Sequence, residues 1–296
     1  MSKTRTGQIP IGFRNNIRHW QEDVTKPVEF AKANGFESID ISKTLAASQV
    51  KSILDTGLRI GSLDLKWPWS DLSSPDAGKR RAAAEANARY INEMAGLGVR
   101  NFFCVIIPED PAAPRTESLQ HTIDGFGQIC AAVADSGARI VLEGWPGTHP
   151  YYAHLACTPE TYRAVFDGTG SDVLGVNYDP SHLIRMGIDH VRFLEEFMPR
   201  VYHVHAKDTE ILVESQYEYG HLQAATLAEP IAFGGHHWRY TIPGHGVTRW
   251  CRIAALLRDA GFDGALSIEL EDGNFFDTPA DLEHGLIASR DFLVHL

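Results

Sequence analysis

Five times in this chain a helix-like stretch closes on a glycine and a β-rich run begins at once. Gly35 leads into Phe36 to Ile41, Gly57 into Leu58 to Leu65, and Gly98 into Val99 to Ile107. Gly137 leads into Ala138 to Glu143, and Gly261 into the run from Ala265 to Leu270. Glycine tolerates the left-handed backbone just past a helix end, so each join marks a helix C-terminus feeding a strand. Ile9 to Phe13, Val173 to Asp179 and Val201 to His205 bring the predicted strands to eight. Helical patterns separate them at 24–34, 45–56, 77–96, 117–136, 159–167, 190–198, 247–260 and 279–294. Strict alternation of this kind specifies an α/β fold, a single (β/α)8 TIM barrel, with a doubly wound open sheet as the alternative. No linker rich in Pro, Gly or Ser divides the chain, so 1–296 reads as one domain. A long loop, Glu210 to Pro243, separates strand 7 from helix 7.

Composition removes several function classes. The 296 residues are 44% hydrophobic, enough for one large core. Net charge is −11, and the longest basic run is Lys79-Arg80-Arg81. A protein that neutralises many phosphates needs a basic stripe, so nucleic acid is not an expected partner. Cys104, Cys130, Cys157 and Cys251 lie far apart and form no C-x-x-C pair. That spacing argues against a disulfide framework or a zinc knuckle and for a reducing cytoplasm. Met1 to Gln8 is polar, and no run reaches the ~18 apolar residues of a membrane span, so no membrane partner is expected.

The chemistry lies at the ends of the last four strands. Ile140-Val141-Leu142-Glu143, Gly175-Val176-Asn177-Tyr178-Asp179, Val201-Tyr202-His203-Val204-His205 and Leu266-Ser267-Ile268-Glu269 each close on a metal-type ligand. A carboxylate or imidazole buried at the end of an apolar strand is costly unless a cation or partner compensates it. One such strand is ordinary; four in succession imply convergence, and parallel strands of a barrel bring their C-terminal ends to one face. Three hard oxygen donors with one imidazole suit one divalent metal, Mn²⁺ ahead of Co²⁺ or Mg²⁺, with Zn²⁺ last. His203 and His205 share a face of their strand; His205, nearer the mouth, is the expected ligand. Lys207 has the same parity and is expected to reach a substrate oxygen.

Together, Glu143, Asp179-Pro180-Ser181-His182, His205-Ala206-Lys207-Asp208, Gly244-His245-Gly246 and Glu269 resemble the xylose-isomerase-like barrels. The likeness is to their sugar phosphate isomerase/epimerase group, which includes ketose 3-epimerases and inosose dehydratases. The resemblance implies metal binding by Glu143, Asp179, His205 and Glu269, and a substrate contact from His182. Two departures stand out. Lys207-Asp208-Thr209 replaces the epimerases' Gly-Glu and substrate-binding Arg, and the segment Glu210 to Pro243 is added. Gly235 to Tyr240 and Glu143 to Gly147 also resemble the α-subunits of C-glycoside deglycosidases, which cleave oxidised glycosides by elimination.

The expected mechanism follows from two glutamates. A divalent cation holding two neighbouring oxygens acidifies the C–H bond between them, and the enediolate is the intermediate. Glu143 and Glu269 flank the ligand arc, so they are the expected catalytic base and acid. Reprotonation gives epimerisation or aldose–ketose isomerisation; loss of a group from the next carbon gives a lyase acting by dehydration or eliminative deglycosylation. The loop of roughly 35 residues is far longer than an ordinary connection and reads as a lid or an interface piece. His237, Trp238 and Arg239 in it, with Trp67 and Trp145 after earlier strands, are expected to contact a sugar or sugar derivative. A homo-oligomer is expected, with room for a small second subunit. Rival readings are a zinc-dependent repair nuclease, opposed by the acidic charge, and a non-catalytic scaffold, opposed by the intact ligands.

Overall fold

The computed structural model describes residues 9–16, 20, 23–148, 152–222 and 225–296, so the polar stretch Met1 to Gln8 lies outside the described residues. In chain order the strands are β1 (Ile11–Asn15), β2 (Ser38–Ile41), β3 (Arg59–Asp64), β4 (Asn101–Val105) and β5 (Arg139–Glu143). They continue with β6 (Leu174–Tyr178), β7 (Val201–Ala206), β8 (Asp208–Ile211), β9 (Trp238–Thr241) and β10 (Leu266–Ile268). Eight of them are parallel and close into a barrel in the order β1-β10-β7-β6-β5-β4-β3-β2. The helices are α1 (Thr25–Ala33), α2 (Ala47–Leu54), α3 (Ala77–Ala95), α4 (Arg115–Val133) and α5 (Pro159–Thr169). After these come α6 (Pro180–Arg185), α7 (His190–Phe197), α8 (Val213–Tyr219), α9 (Trp250–Asp259) and α10 (Pro279–Leu293). Every strand and helix of the expected alternation is present to within a few residues, and the barrel is the form it takes. Among the described residues no helix is long and apolar enough to cross a membrane.

The chain groups into two compact units. Met1–Asp40, Asp179–Met198 and Val204–Leu296 form one; Ile41–Tyr178 and Pro199–His203 form the other. In the first, β10 lies between β1 and β7, with Ile11 opposite Leu266 and Leu266 opposite Val204. Phe13, Trp20, Phe30 and Phe36 pack as an aromatic cluster with centroids 5.0–5.9 Å apart, largely edge-on or tilted. In the second, β4, β5 and β6 run in register, so Val105, Glu143 and Asn177 stand level at their C-terminal ends. Thr158 caps α5 through Thr161 N–H, Pro159 sits in its first turn, and Gly170 ends it in the left-handed conformation.

The segment expected as one long loop is structured. Asp208–Ile211 turns straight out of β7 and pairs antiparallel with Trp238–Thr241, Thr209 opposite Tyr240 and Glu210 opposite Arg239. Trp238-Arg239-Tyr240-Thr241 alternates apolar and polar residues with the period of a strand, and its pairing draws Asp208–Ile211 into the ribbon. The short helix α8 follows β8. Asp208 holds the base of this excursion together. Its Oδ1 accepts N–H bonds from Thr209 (2.8 Å) and Thr248 (2.9 Å), and its Oδ2 accepts from Gly244 (3.0 Å) and Trp250 Nε1 (3.1 Å). Gly246 lies so close that a Cβ there would stand 2.3 Å from Asp208 Oδ1, which is why the turn needs glycine. The amides of Gly244 and Thr248 therefore serve a buried carboxylate.

Replacing Asp208 by Ala strips four donors of their acceptor. Asp208→Ala should cost about 3 kcal/mol or more, read as a lowered thermal midpoint. A midpoint equal to wild type would show that this carboxylate does not anchor the excursion.

Candidate active site

The first unit carries a dense polar cluster at the C-terminal ends of its strands. Asp179 follows β6 and starts α6, where its Oδ1 caps the helix by accepting Ser181 N–H at 2.8 Å. Pro180 in the first helical turn suits that start, because it has no N–H to leave unsatisfied. The cap fixes the carboxylate and turns Oδ2 inward. His182, one turn into α6, brings Nε2 to 3.3 Å from that oxygen. Asp179, His182 and Glu269 each offer a ligand atom, and these lie within 4.8 Å of one another.

Lys207 stands among these groups. Its ammonium lies 2.5 Å from Glu269 Oε2, 2.9 Å from Glu271 Oε2 and 3.3 Å from Asp179 Oδ2, with 1% of the side chain exposed. It also sits 4.5 Å from the centre of the Tyr240 ring. Burial works against the ammonium, and Asp179, Glu269 and Glu271 outweigh it, holding its pKa well above the usual lysine value. Burial likewise opposes the Glu269 carboxylate. Lys207, His205 and Arg14 outweigh that burial and hold its pKa well below the usual carboxylate range. Arg14, at the end of β1, brings Nε to 3.3 Å from Glu269 Oε1. Both Lys207 and Glu269 are thus charged at neutral pH.

His205 is fully buried between two carboxylates. Its Nδ1 lies 3.5 Å from Glu269 Oε2 and its Nε2 lies 3.5 Å from Asp40 Oδ2. A carboxylate behind one imidazole nitrogen and a ligand-type group before the other is the arrangement that orients metal-binding histidines. The cluster also fits a cation by its donors. Asp179 Oδ2 is buried and accepts no hydrogen bond, with His182 Nε2 and the Lys207 ammonium each standing off at 3.3 Å. A hard divalent ion supplies what such an oxygen lacks, and the oxygen and imidazole donors present suit one.

The second unit holds Glu143 at the end of β5. Asn177 Nδ2, level with it on β6, donates to Glu143 Oε1 at 2.9 Å. His203 is buried deeper along β7. Trp145 packs on Phe103, Val105 and Val141, with its edge to His154, and Trp67 is 72% exposed beside Trp69.

The structure brings Asp179, His182, His205, Lys207 and Glu269 together. Arg239 pairs with Glu210 (2.6 Å) and Asp272 (3.2 Å), and the His237 ring lies tilted against His221, centroids 4.8 Å apart. Sequence reading missed Arg14, Asp40, Tyr240 and Glu271. Arg14 and Asp40 are polar residues in apolar strands, the same signal that marked Glu143 and Glu269, and Glu271 shares the parity of Glu269. Tyr240 carried no such signal; only pairing of β9 with β8 places it.

Residues 28–294 match the xylose isomerase-like TIM barrel family. The uncharacterized protein YfiH of Bacillus subtilis (strain 168) is 29% identical over 124 residues, 41% of this chain and 38% of that protein. An inosose dehydratase of Geobacillus thermodenitrificans (strain NG80-2) is 26% identical over 152 residues, 50% of this chain and 46% of that enzyme. These matches span less than half the length of either relative. A longer one, to an inosose dehydratase of Bacillus licheniformis (strain ATCC 14580), covers 99% of the chain and 93% of that enzyme at 22% identity. Among solved structures, a D-tagatose 3-epimerase-like protein has a TM-score of 0.70 at 18% identity, covering 97% of this chain and 96% of its own. The IolI protein with a zinc atom has a TM-score of 0.70 at 15% identity, covering 97% and 98%. These structural likenesses speak for the fold. With the family match running across nearly the whole barrel, the chain belongs to the xylose isomerase-like TIM barrel family.

Proposed function

We propose that this chain is a divalent-metal-dependent sugar isomerase or epimerase that takes a proton from the carbon beside a carbonyl and returns it. The observation that carries this reading is the buried cluster around Lys207, where Asp179, Glu269 and Glu271 have Lys207 and Arg14 as their lysine and arginine partners within 3.3 Å among the described residues. That balance leaves negative charge for a cation to meet. The metal ligands in this reading are Glu143, Asp179, His205 and Glu269, and a bound divalent ion would polarise the substrate carbonyl and serve as electron sink. Mn²⁺, Co²⁺ and Mg²⁺ suit the hard donors, and IolI, of the same fold, holds zinc. Glu269, held anionic by Lys207 and Arg14, accepts the proton; Glu143, oriented by Asn177, carries the proton for the opposite face. His182 binds a substrate oxygen beside Asp179, while Lys207 keeps Glu269 in place.

A second reading is supported by the nearly full-length likeness to an inosose dehydratase. There the same proton loss is followed by expulsion of a group from the next carbon, which makes the enzyme a lyase.

Turnover in D₂O, with free ketoses, keto-inositols and 3-keto-glycosides as a panel, separates the two by NMR. The isomerase reading expects deuterium at the carbon next to the carbonyl, in recovered substrate or in an isomer. The lyase reading expects a released leaving group. No exchange with any member, from folded and metal-loaded protein, would count against both. Glu269→Gln should lower kcat by about 10²- to 10⁴-fold.

Metal content tests the ligand set independently. Asp179→Asn keeps the α6 cap, since Asn caps as well as Asp, but removes the charge. Elemental analysis should find about one divalent ion per wild-type chain, and much less in Asp179→Asn and His205→Ala. Full occupancy in both variants would remove these residues from the site.

A further inference from the structure

The geometry points to Tyr240 as a positioning residue for His182: its hydroxyl donates to His182 Nδ1, which places the ring proton on Nε2 and makes His182 a hydrogen-bond donor beside Asp179 instead of a metal ligand. Tyr240 comes from β9, within the segment inserted between β7 and α9, and its side chain is buried. The phenol oxygen has two polar neighbours, His182 Nδ1 at 2.6 Å and Arg185 Nη1 at 2.8 Å. A guanidinium only donates, so Arg185 takes a lone pair of the phenol oxygen. The phenol hydrogen then needs an acceptor, and among the described residues Nδ1 is the one in reach. Burial pushes the phenol pKa well up, against the pull of Arg185 and Lys207, so that hydrogen stays in place.

A neutral imidazole accepting at Nδ1 carries its hydrogen at Nε2. Nε2 faces Asp179 Oδ2 at 3.3 Å, and a protonated nitrogen has no lone pair for a cation. His205 shows the complementary arrangement. Asp40 stands at its Nε2, so Nδ1, toward Glu269, is the nitrogen left to ligate. His182 and Arg185 are three residues apart on α6 and share a face, so one helix delivers both partners to Tyr240. Trp238, also from β9, backs Arg185 with its ring 4.5 Å away. The inserted segment thereby reaches the site through the orientation of a histidine. This inference rests on the metal-site reading above only for the division of labour between the two histidines.

The test is long-range ¹H–¹⁵N NMR of histidine-labelled protein, with and without Mg²⁺, using His182→Gln to assign the signals. The His182 ring should show the Nε2–H tautomer in wild type and a mixture in Tyr240→Phe. Metal content should stay at the wild-type level in both Tyr240→Phe and His182→Gln. A 3-fluorotyrosine at position 240, which keeps the shape and strengthens the donor, should move the His182 Nδ1 signal further. It serves where Tyr240→Phe folds poorly. A wild-type Nδ1–H tautomer, an Nδ1 signal indifferent to the fluorine, or a tenfold loss of Mn²⁺ affinity in His182→Gln overturns the proposal. The tautomer is read in the metal-free protein as well, so its result stands apart from whether the chain binds metal.

Discussion

A lysine ammonium with 1% of its side chain exposed is tenable only where carboxylates enclose it, and Lys207 has three within 3.3 Å. The dependence runs both ways. Asp179 and Glu269 are themselves buried, and without Lys207 Asp179 would lose its ammonium partner and Glu269 would keep only Arg14 and His205 of the partners described above. Removing one partner of such an ion cluster typically costs about 3–5 kcal/mol, because the charge left behind stays buried. The site is therefore built as a unit, in which Lys207 and Glu269 hold each other in their charged forms. Any cation that enters joins an arrangement already balanced in part by an internal one.

Strand geometry explains why so few residues achieve this. In β7 and its continuation, His203, His205 and Lys207 alternate with Val204 and Ala206, and period two sends every second side chain to one face. Glu269 and Glu271 repeat the device past β10. The register of β10 with β7 sets Ser267 beside His205, which carries Glu269 toward Lys207 and Glu271 just beyond it. Asp179 then serves twice, one oxygen capping α6 and the other turned to the cluster. The helix start and the site are fixed by one side chain.

These physical features also decide what a sequence can disclose. The helix–glycine–strand joins are local, set by backbone conformation, so the alternation was legible and the barrel with it. Carboxylates and imidazoles at the ends of apolar runs were legible for the same reason, through the cost of burying them. Arg14 lies just past the predicted run Ile9 to Phe13, and Asp40 stands one residue before the end of Phe36 to Ile41, so neither closes its predicted strand as Glu143 and Glu269 do. Lys207 was read as a contact for substrate. Its commitment to three carboxylates depends on β10 lying beside β7, which no local pattern encodes. Tyr240 depends on the antiparallel pairing of Thr209 with Tyr240 across a long excursion, and only the folded chain supplies it.

The inserted segment shows how a single sequence feature can divide on folding. Its aromatic residues, read together, suggest one sugar-stacking surface. In the structure Trp238 and Tyr240 are buried at the base, tied in by Arg185, while Tyr217 is 85% exposed and α8 buries none of its residues. Arg239 is drawn to Asp272, whose Oδ2 also accepts the Ile242 amide at 3.1 Å. The base of the excursion is thus cross-linked by buried charge to the strand ends that carry the cluster. A base fixed in this way orients groups, as Tyr240 does for His182.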